Sequence, residues 1–257
     1  MPSRPNYIVQ AVIENILEIK NLTKFYGDLE AVRGISFGVE SGEIVGLLGP
    51  NGAGKTTTIN MVLGILAPTS GSIQVFGKNF SDNREEILGK TNFAAVYAQL
   101  PGNLSVRHNL FVFAVLYGVP RPKERVKELL REYDLEKYSE SRTGLLSSGE
   151  QSRVNLAKSQ INKPRLLLLD EPTASIDPSS AQIVREQIRN YAKTQRAAVL
   201  WTSHNMHEIE EVCDRVLFIS HGKILLAGKP KELPGRYGKK NLEELFIAVA
   251  REPLSLQ

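Results

Sequence analysis

The chain has 257 residues, 42% of them apolar and 23% charged, the balance of a globular protein rather than of a disordered or membrane-spanning one. Its longest strongly apolar stretch, at residues 110–120, is about half the roughly twenty residues that a helix needs to cross a bilayer. Basic residues exceed acidic ones by only 32 to 28, too small an excess to argue for nucleic acid, so no nucleic-acid partner is expected. The first six residues lack the apolar run of a secretory signal, and the lone Cys213 cannot make an internal disulfide. A protein that stays where it is made is the expectation.

After an irregular lead over 1–14, alternation at 16–22 predicts a first strand and residues 31–40 a second. Ser41 and Gly42 turn the chain into the apolar run Ile-Val-Gly-Leu-Leu at 44–48. There follows Gly-Pro-Asn-Gly-Ala-Gly-Lys-Thr at 49–56, a complete phosphate-binding loop, with a helix-like stretch from Thr57. Phosphates need many donors at short range, and backbone N–H groups supply them best where no Cβ blocks approach, the reading given to Gly49, Gly52 and Gly54. Pro50, Asn51, Ala53 and Thr57 complete the cradle. Lys55 can reach the β- and γ-phosphates, the Thr56 hydroxyl can hold Mg²⁺, and the positive end of the helix faces the anion.

Residues 72–76 predict another short strand, and from about 100 to 162 the period changes to helical, over 106–117, 123–133 and 150–161. A helical insertion is expected there. Strand signals return at 165–170, 197–201 and 215–220 with helices between, as in a wound parallel sheet, and His221 and Gly222 turn into a last strand at 223–227. The apolar run at 166–169 ends in Asp170 and Glu171, where open parallel sheets place ligands. Asp170 suits a Mg²⁺ bridging the β- and γ-phosphates, and Glu171 suits orienting or deprotonating the attacking water. As a bare dipeptide, the two acids could equally end a strand and begin a turn.

These residues resemble the ATP-binding cassette ATPases over about 16–230. Leu-Ser-Ser-Gly-Glu-Gln at 146–151 is similar to that family's signature, and in the family such residues bind the γ-phosphate held by a second cassette. The resemblance thus assigns Ser147 and Gly149 to ATP bound by a partner protomer, in a dimer expected to be of identical chains. Read alone, Ser-Ser-Gly-Glu is an N-cap with an acidic first turn. The resemblance further implies an adenine platform at Tyr26, an interface loop ending in Asp177, and a γ-phosphate contact from His204. Ser148 and Glu150 depart from the usual signature. The glutamine that should ligate Mg²⁺ is ambiguous, because counting back from Ser105 and Val106 without a gap lands on Val96, whereas a shortened loop brings in Gln99.

What the resemblance implies is an α/β P-loop NTPase with a wound, mainly parallel sheet, an antiparallel β subdomain and a helical insertion. The ATPase domain is expected over 16–235, with its helical subdomain at about 100–162 and a helical tail at 236–257. The implied cofactors are ATP and Mg²⁺. The implied role is coupling ATP hydrolysis to export through separate integral membrane permease subunits, at the inner face of the cell membrane. Two rivals differ in class. A soluble cassette acting in translation or DNA repair usually carries two cassettes or a long coiled-coil insertion, and a GTPase-type switch needs Asn-Lys-x-Asp, which Asn-Lys-Pro-Arg at 162–165 does not supply.

Overall fold

The computed structural model describes residues 14–95, 100–174 and 176–251. β1 (Asn15–Tyr26) and β2 (Leu29–Glu40) form a hairpin, and β3 (Ile44–Leu48), buried at every position, leads into α1 (Lys55–Val62). β4 (Ser70–Val75) and β5 (Lys78–Asn79) follow, then α2 (Arg84–Gly89) and β6 (Thr91–Ala95). α3 (Val106–Leu116), α4 (Pro122–Glu132) and α5 (Ser148–Ser159) are the helices of the insertion. The chain continues through β7 (Leu166–Asp170), α6 (Pro178–Gln195), β8 (Ala198–Ser203), α7 (Met206–Val212), β9 (Arg215–Ser220), β10 (Lys223–Gly228), α8 (Leu233–Arg236) and α9 (Leu242–Arg251).

Two sheets result. An antiparallel one has the order β2-β1-β4-β5, and a six-stranded one has the order β10-β9-β3-β8-β7-β6, parallel except for β10 at its edge. Successive side chains of a strand point to opposite faces, so Leu166 and Leu168 enter one core and Leu167 and Leu169 the other. All four are fully buried because both faces of the parallel sheet are covered, which is why β7 reads as a continuous apolar run. Ile59, Met61 and Val62 of α1 share one core with β1, β2 and β4, so this helix is packed between the two sheets. The other core joins the sheet to Val106, Leu110, Leu129, Val154 and Leu156 of the insertion. Cutting Leu168 or Leu169 back to alanine should cost about 2–5 kcal/mol, since neither space can collapse onto solvent.

Several element ends differ from the sequence reading. α1 starts at Lys55 rather than Thr57, because Gly54 ends the loop at φ 105° without any side-chain cap to announce it. α5 starts at Ser148, with Ser147 as N-cap, two residues before the expected Glu150. The strand expected at 72–76 stops at Val75 because Phe76 and Gly77 turn with φ 55° and 71°. β6 and α2 had no sequence signal. The expected domain limit at 235 falls inside α8, and Leu242 and Leu245 of the tail helix α9 sit in the same core as Phe218.

Register then places the functional ends. Leu48 of β3 pairs with Ser203 of β8, and Asp170 of β7 pairs with Thr202, so three strands finish side by side at the carboxyl edge of the sheet.

Candidate active site

The loop between β3 and α1 lies over that edge and encloses, with Asp170, Glu171 and His204, a cavity of about 570 Å³. Pro50, Asn51, Gly52, Ala53, Gly54, Lys55, Thr56 and Thr57 all line it. Of the three glycines read as phosphate clearance, Gly52 alone has open space where a Cβ would stand. A Cβ at Gly49 would fall 2.1 Å from the Ile219 carbonyl oxygen, and one at Gly54 would fall 2.7 Å from the Ala31 carbonyl oxygen. Those two glycines are therefore also required by neighbouring strands, a constraint absent from the sequence reading. Gly49 does not line the cavity.

Lys55 is 6% exposed, and its Nζ donates to the carbonyls of Gly49 at 2.7 Å and Pro50 at 3.2 Å while standing 3.7 Å from Glu171 Oε1. Burial lowers the pKa of this ammonium, and the nearby carboxylates of Glu171 and Asp170 oppose that shift. Two loop carbonyls and one carboxylate hold the cation at the floor of the cavity, in place to meet an anion.

The Thr56 hydroxyl donates to Asp170 Oδ2 at 3.2 Å, and the Thr202 hydroxyl donates to Asp170 Oδ1. Among the described residues no three His, Cys, Asp or Glu side chains cluster as a metal cage. One hydroxyl and one carboxylate, both hard oxygen donors, fit Mg²⁺, which usually takes one or two protein ligands and completes its shell with water and substrate phosphates. Gln99, the third expected metal ligand, lies outside the described residues, as does Val96.

Glu171 has φ 53°, a left-handed conformation that a residue with a Cβ seldom adopts. Its N–H donates to the Thr202 carbonyl at 3.1 Å and to the Thr202 hydroxyl at 3.2 Å. The side chain so aimed meets Lys55 through Oε1 and His204 Nδ1, 2.8 Å away, through Oε2. His204 itself follows β8, where Ser203 Oγ donates to Glu208 at 3.0 Å and accepts the Asn205 N–H at 3.0 Å, and Asn205 caps α7. These bonds pin the short segment that carries the histidine.

Tyr26, Ser147, Gly149 and Asp177 are not among the residues lining this cavity. Tyr26 ends β1, is 48% exposed, and has Lys24 Nζ over its ring, 5.6 Å from the centroid. Ser147 is exposed and closes a capping box: its Oγ accepts the Glu150 N–H at 3.4 Å while the Glu150 carboxylate accepts the Ser147 N–H at 2.8 Å. Bonds from Tyr138 and from the Ser147 N–H hold the Glu150 carboxyl below the usual range. A Cβ at Gly149 would fall 2.5 Å from Ser180 Oγ, and Asp177 caps α6 by accepting the Ser180 N–H at 3.0 Å. The start of α5 and the start of α6 are thus packed together at Gly149, Asp177 and Ser180. Thr202 is the residue that sequence reasoning passed over; the only signal was a hydroxyl at the end of an apolar strand.

A family model described as "ABC transporter" matches residues 32–174. The chain is 36% identical over 228 residues to the bacitracin transport ATP-binding protein BcrA of Bacillus licheniformis, an alignment covering 89% of this chain and 72% of that protein. It is 35% identical to the Nod factor export ATP-binding protein I of Rhizobium sp. (strain N33), over 93% of this chain and 79% of the relative. Among solved structures, cbiO1 from Clostridium perfringens, part of the ABC transporter complex cbiONQ, superposes with a TM-score of 0.79 at 26% identity, covering 92% of this chain and 99% of that one.

Proposed function

This chain belongs to the ABC transporter family and is its nucleotide-binding, ATP-hydrolysing component, and on that premise we propose that it couples hydrolysis in a cassette dimer to export through separate membrane subunits. The observation that carries the reading is the convergence of Lys55, Thr56, Asp170, Glu171 and His204 on one cavity. Its size lies within the range of about 300–1,000 Å³ usual for small-molecule sites.

The residues divide the chemistry among themselves. The N-terminal amides of α1 and Lys55 bind the phosphates, and Tyr26 offers a stacking face for adenine. Thr56 and Asp170 would hold Mg²⁺, with Gln99 as a further ligand; when bound, the ion neutralises charge on the β- and γ-phosphates. A water attacks the γ-phosphorus, the bond to the bridging oxygen breaks, and Glu171 orients that water and takes its proton. His204 holds the Glu171 carboxylate and lies at the open side of the cavity, within reach of the γ-phosphate. Ser147 and Gly149 complete the site of a partner cassette, with Asp177 at the crossing point.

The export assignment rests on the relatives named for bacitracin transport and Nod factor export. No helix among the described residues is long and apolar enough to cross a membrane. Transport therefore calls for a permease, which would hold this chain at the cytoplasmic face. Val112, Val115 and Leu116 of α3, 44%, 54% and 73% exposed, offer an apolar contact face of the kind that marks interaction sites. We assign the ATPase domain to about 16–235, its helical subdomain to about 100–162 and the tail to about 236–257, with α9 of the tail packed back on the domain's core. The test is purification from detergent-solubilised membranes followed by reconstitution. An integral membrane protein that stimulates ATP turnover supports the reading; ribosomes or DNA in its place, with no such stimulation, would support the soluble cassette acting in translation or repair.

A further inference from the structure

Asp170 and Glu171 are adjacent in sequence, yet their proposed tasks need different orientations, one toward a metal and the other toward a water. A single side chain on the neighbouring strand touches both. The Thr202 hydroxyl, on a residue with no solvent exposure, donates to Asp170 Oδ1 and accepts the Glu171 N–H at 3.2 Å. Since Thr56 donates to the other oxygen of Asp170 at 3.2 Å, the carboxylate has a hydroxyl donor on each oxygen, and its plane is set. The Glu171 N–H, meanwhile, is shared between the carbonyl and the hydroxyl of Thr202, and this fork holds the residue at φ 53°. That backbone turn is what sends the Glu171 side chain to Lys55 and His204.

A threonine in a strand is ordinarily accounted for by its branched shape, and valine has the same shape. Here the preceding strand residues Val199, Leu200 and Trp201 are apolar and fully buried, and among the described residues the hydroxyl's partners are the two acids. Resting on the site reading above, we propose that Thr202 is a positioning residue for hydrolysis: its hydroxyl locks the Asp170 carboxylate for the metal and the Glu171 backbone for the attacking water. ATP itself is bound by other groups, so the hydroxyl should act on turnover and metal use rather than on nucleotide affinity.

Thr202→Val and Thr202→Ser in the full chain test this by steady-state hydrolysis, Mg²⁺ titration and equilibrium ATP binding. Thr202→Val is expected to lower kcat about tenfold, the scale of one hydrogen bond to a charged group, with KM for ATP changed less than about twofold. Its half-saturating Mg²⁺ concentration should rise, and Thr202→Ser should restore most of kcat. In a Glu171→Gln background, single-turnover measurement should show Thr202→Val costing less than it does in the native chain, because the part of its effect that runs through Glu171 is already lost. If Thr202→Val does not fold, Thr202→Ala carries the same expectation. Native kcat and Mg²⁺ dependence in Thr202→Val, beside an inactive Glu171→Gln, would overturn this inference and leave the site reading standing. A loss shared equally by ATP affinity, or one undiminished by Glu171→Gln, would also overturn it. Native turnover in Glu171→Gln would instead remove the reading beneath it.

Discussion

His204 Nδ1 stands 2.8 Å from Glu171 Oε2, and the two residues follow adjacent strands of the parallel sheet, β8 and β7. The contact binds the proposed base to a histidine that lines the cavity and is 59% exposed. Glu171→Gln keeps the shape and loses the proton acceptor, so ATP affinity should hold while turnover falls by about 10²-fold or more. His204→Ala should lower turnover as well, since it frees the Glu171 side chain, with ATP affinity again largely kept. Radiolabelled hydrolysis with parallel ATP titration checks both, and near-native turnover in Glu171→Gln would end its assignment as base.

Lys55 behaves differently, because its ammonium faces the phosphates in ground and transition states alike. Lys55→Ala should weaken ATP binding itself, by about 10-fold to 100-fold, the worth of a lost charge-assisted hydrogen bond. It also leaves Glu171 without its 3.7 Å cation. Equilibrium titration with a fluorescent ATP analogue reads the effect, and unchanged affinity would show that the amides of α1 bind phosphate unaided.

Ser147 does not line the cavity of the phosphate loop, which calls for a test across two protomers. Ser147 is exposed and caps α5, so Ser147→Asp retains a good N-cap acceptor while placing negative charge where a partner's phosphate would arrive. Gly149 is a poorer choice for the same purpose, since any side chain there meets Ser180. Lys55→Ala and Ser147→Asp proteins should each be inactive, and mixing them should restore partial turnover, because one composite site of the mixed dimer has neither defect. Mixed dimers shown by crosslinking to have formed, yet with no activity, would refute the shared site.

The legible parts of this molecule were those in which one short segment carries its own reason. β7 announces itself because a strand covered on both faces is apolar throughout and then abruptly acidic at Asp170. The phosphate loop does so because its composition suits nothing else as well. β6 was not legible: Thr-Asn-Phe-Ala-Ala has no alternation, and its buried Asn92 is satisfied by Asn162, a partner that only the fold supplies. The steric demand on Gly49 is not legible either, since the Ile219 carbonyl that excludes a side chain there lies far along the chain. Thr202 escaped for the same reason, since its role arises from the register that sets it beside Asp170.

Lys158 gives a prediction in pH. It lies in α5 with its Nζ donating to the Phe93 carbonyl at 2.8 Å and 5.4 Å from the centroid of Phe113, so it ties α5 to β6 and α3 without a carboxylate partner among the described residues. Burial pushes its pKa down to about 8, from the 10.5 that it would regain on unfolding. Below pH 8 the lysine is protonated in both states, and the folded protein carries the full cost of a buried charge. Between about pH 8 and 10.5 the unfolded chain binds more protons than the folded one, so this residue's contribution to stability rises with pH, by on the order of 3 kcal/mol in all. Lys158→Met keeps the length and removes the charge. The stability difference, native minus Lys158→Met, measured by urea unfolding from pH 7 to 10.5, should therefore climb with pH and level off near the upper limit. A difference that stays flat would mean that the ammonium is solvated in the folded protein and that the tie to Phe93 is a surface contact.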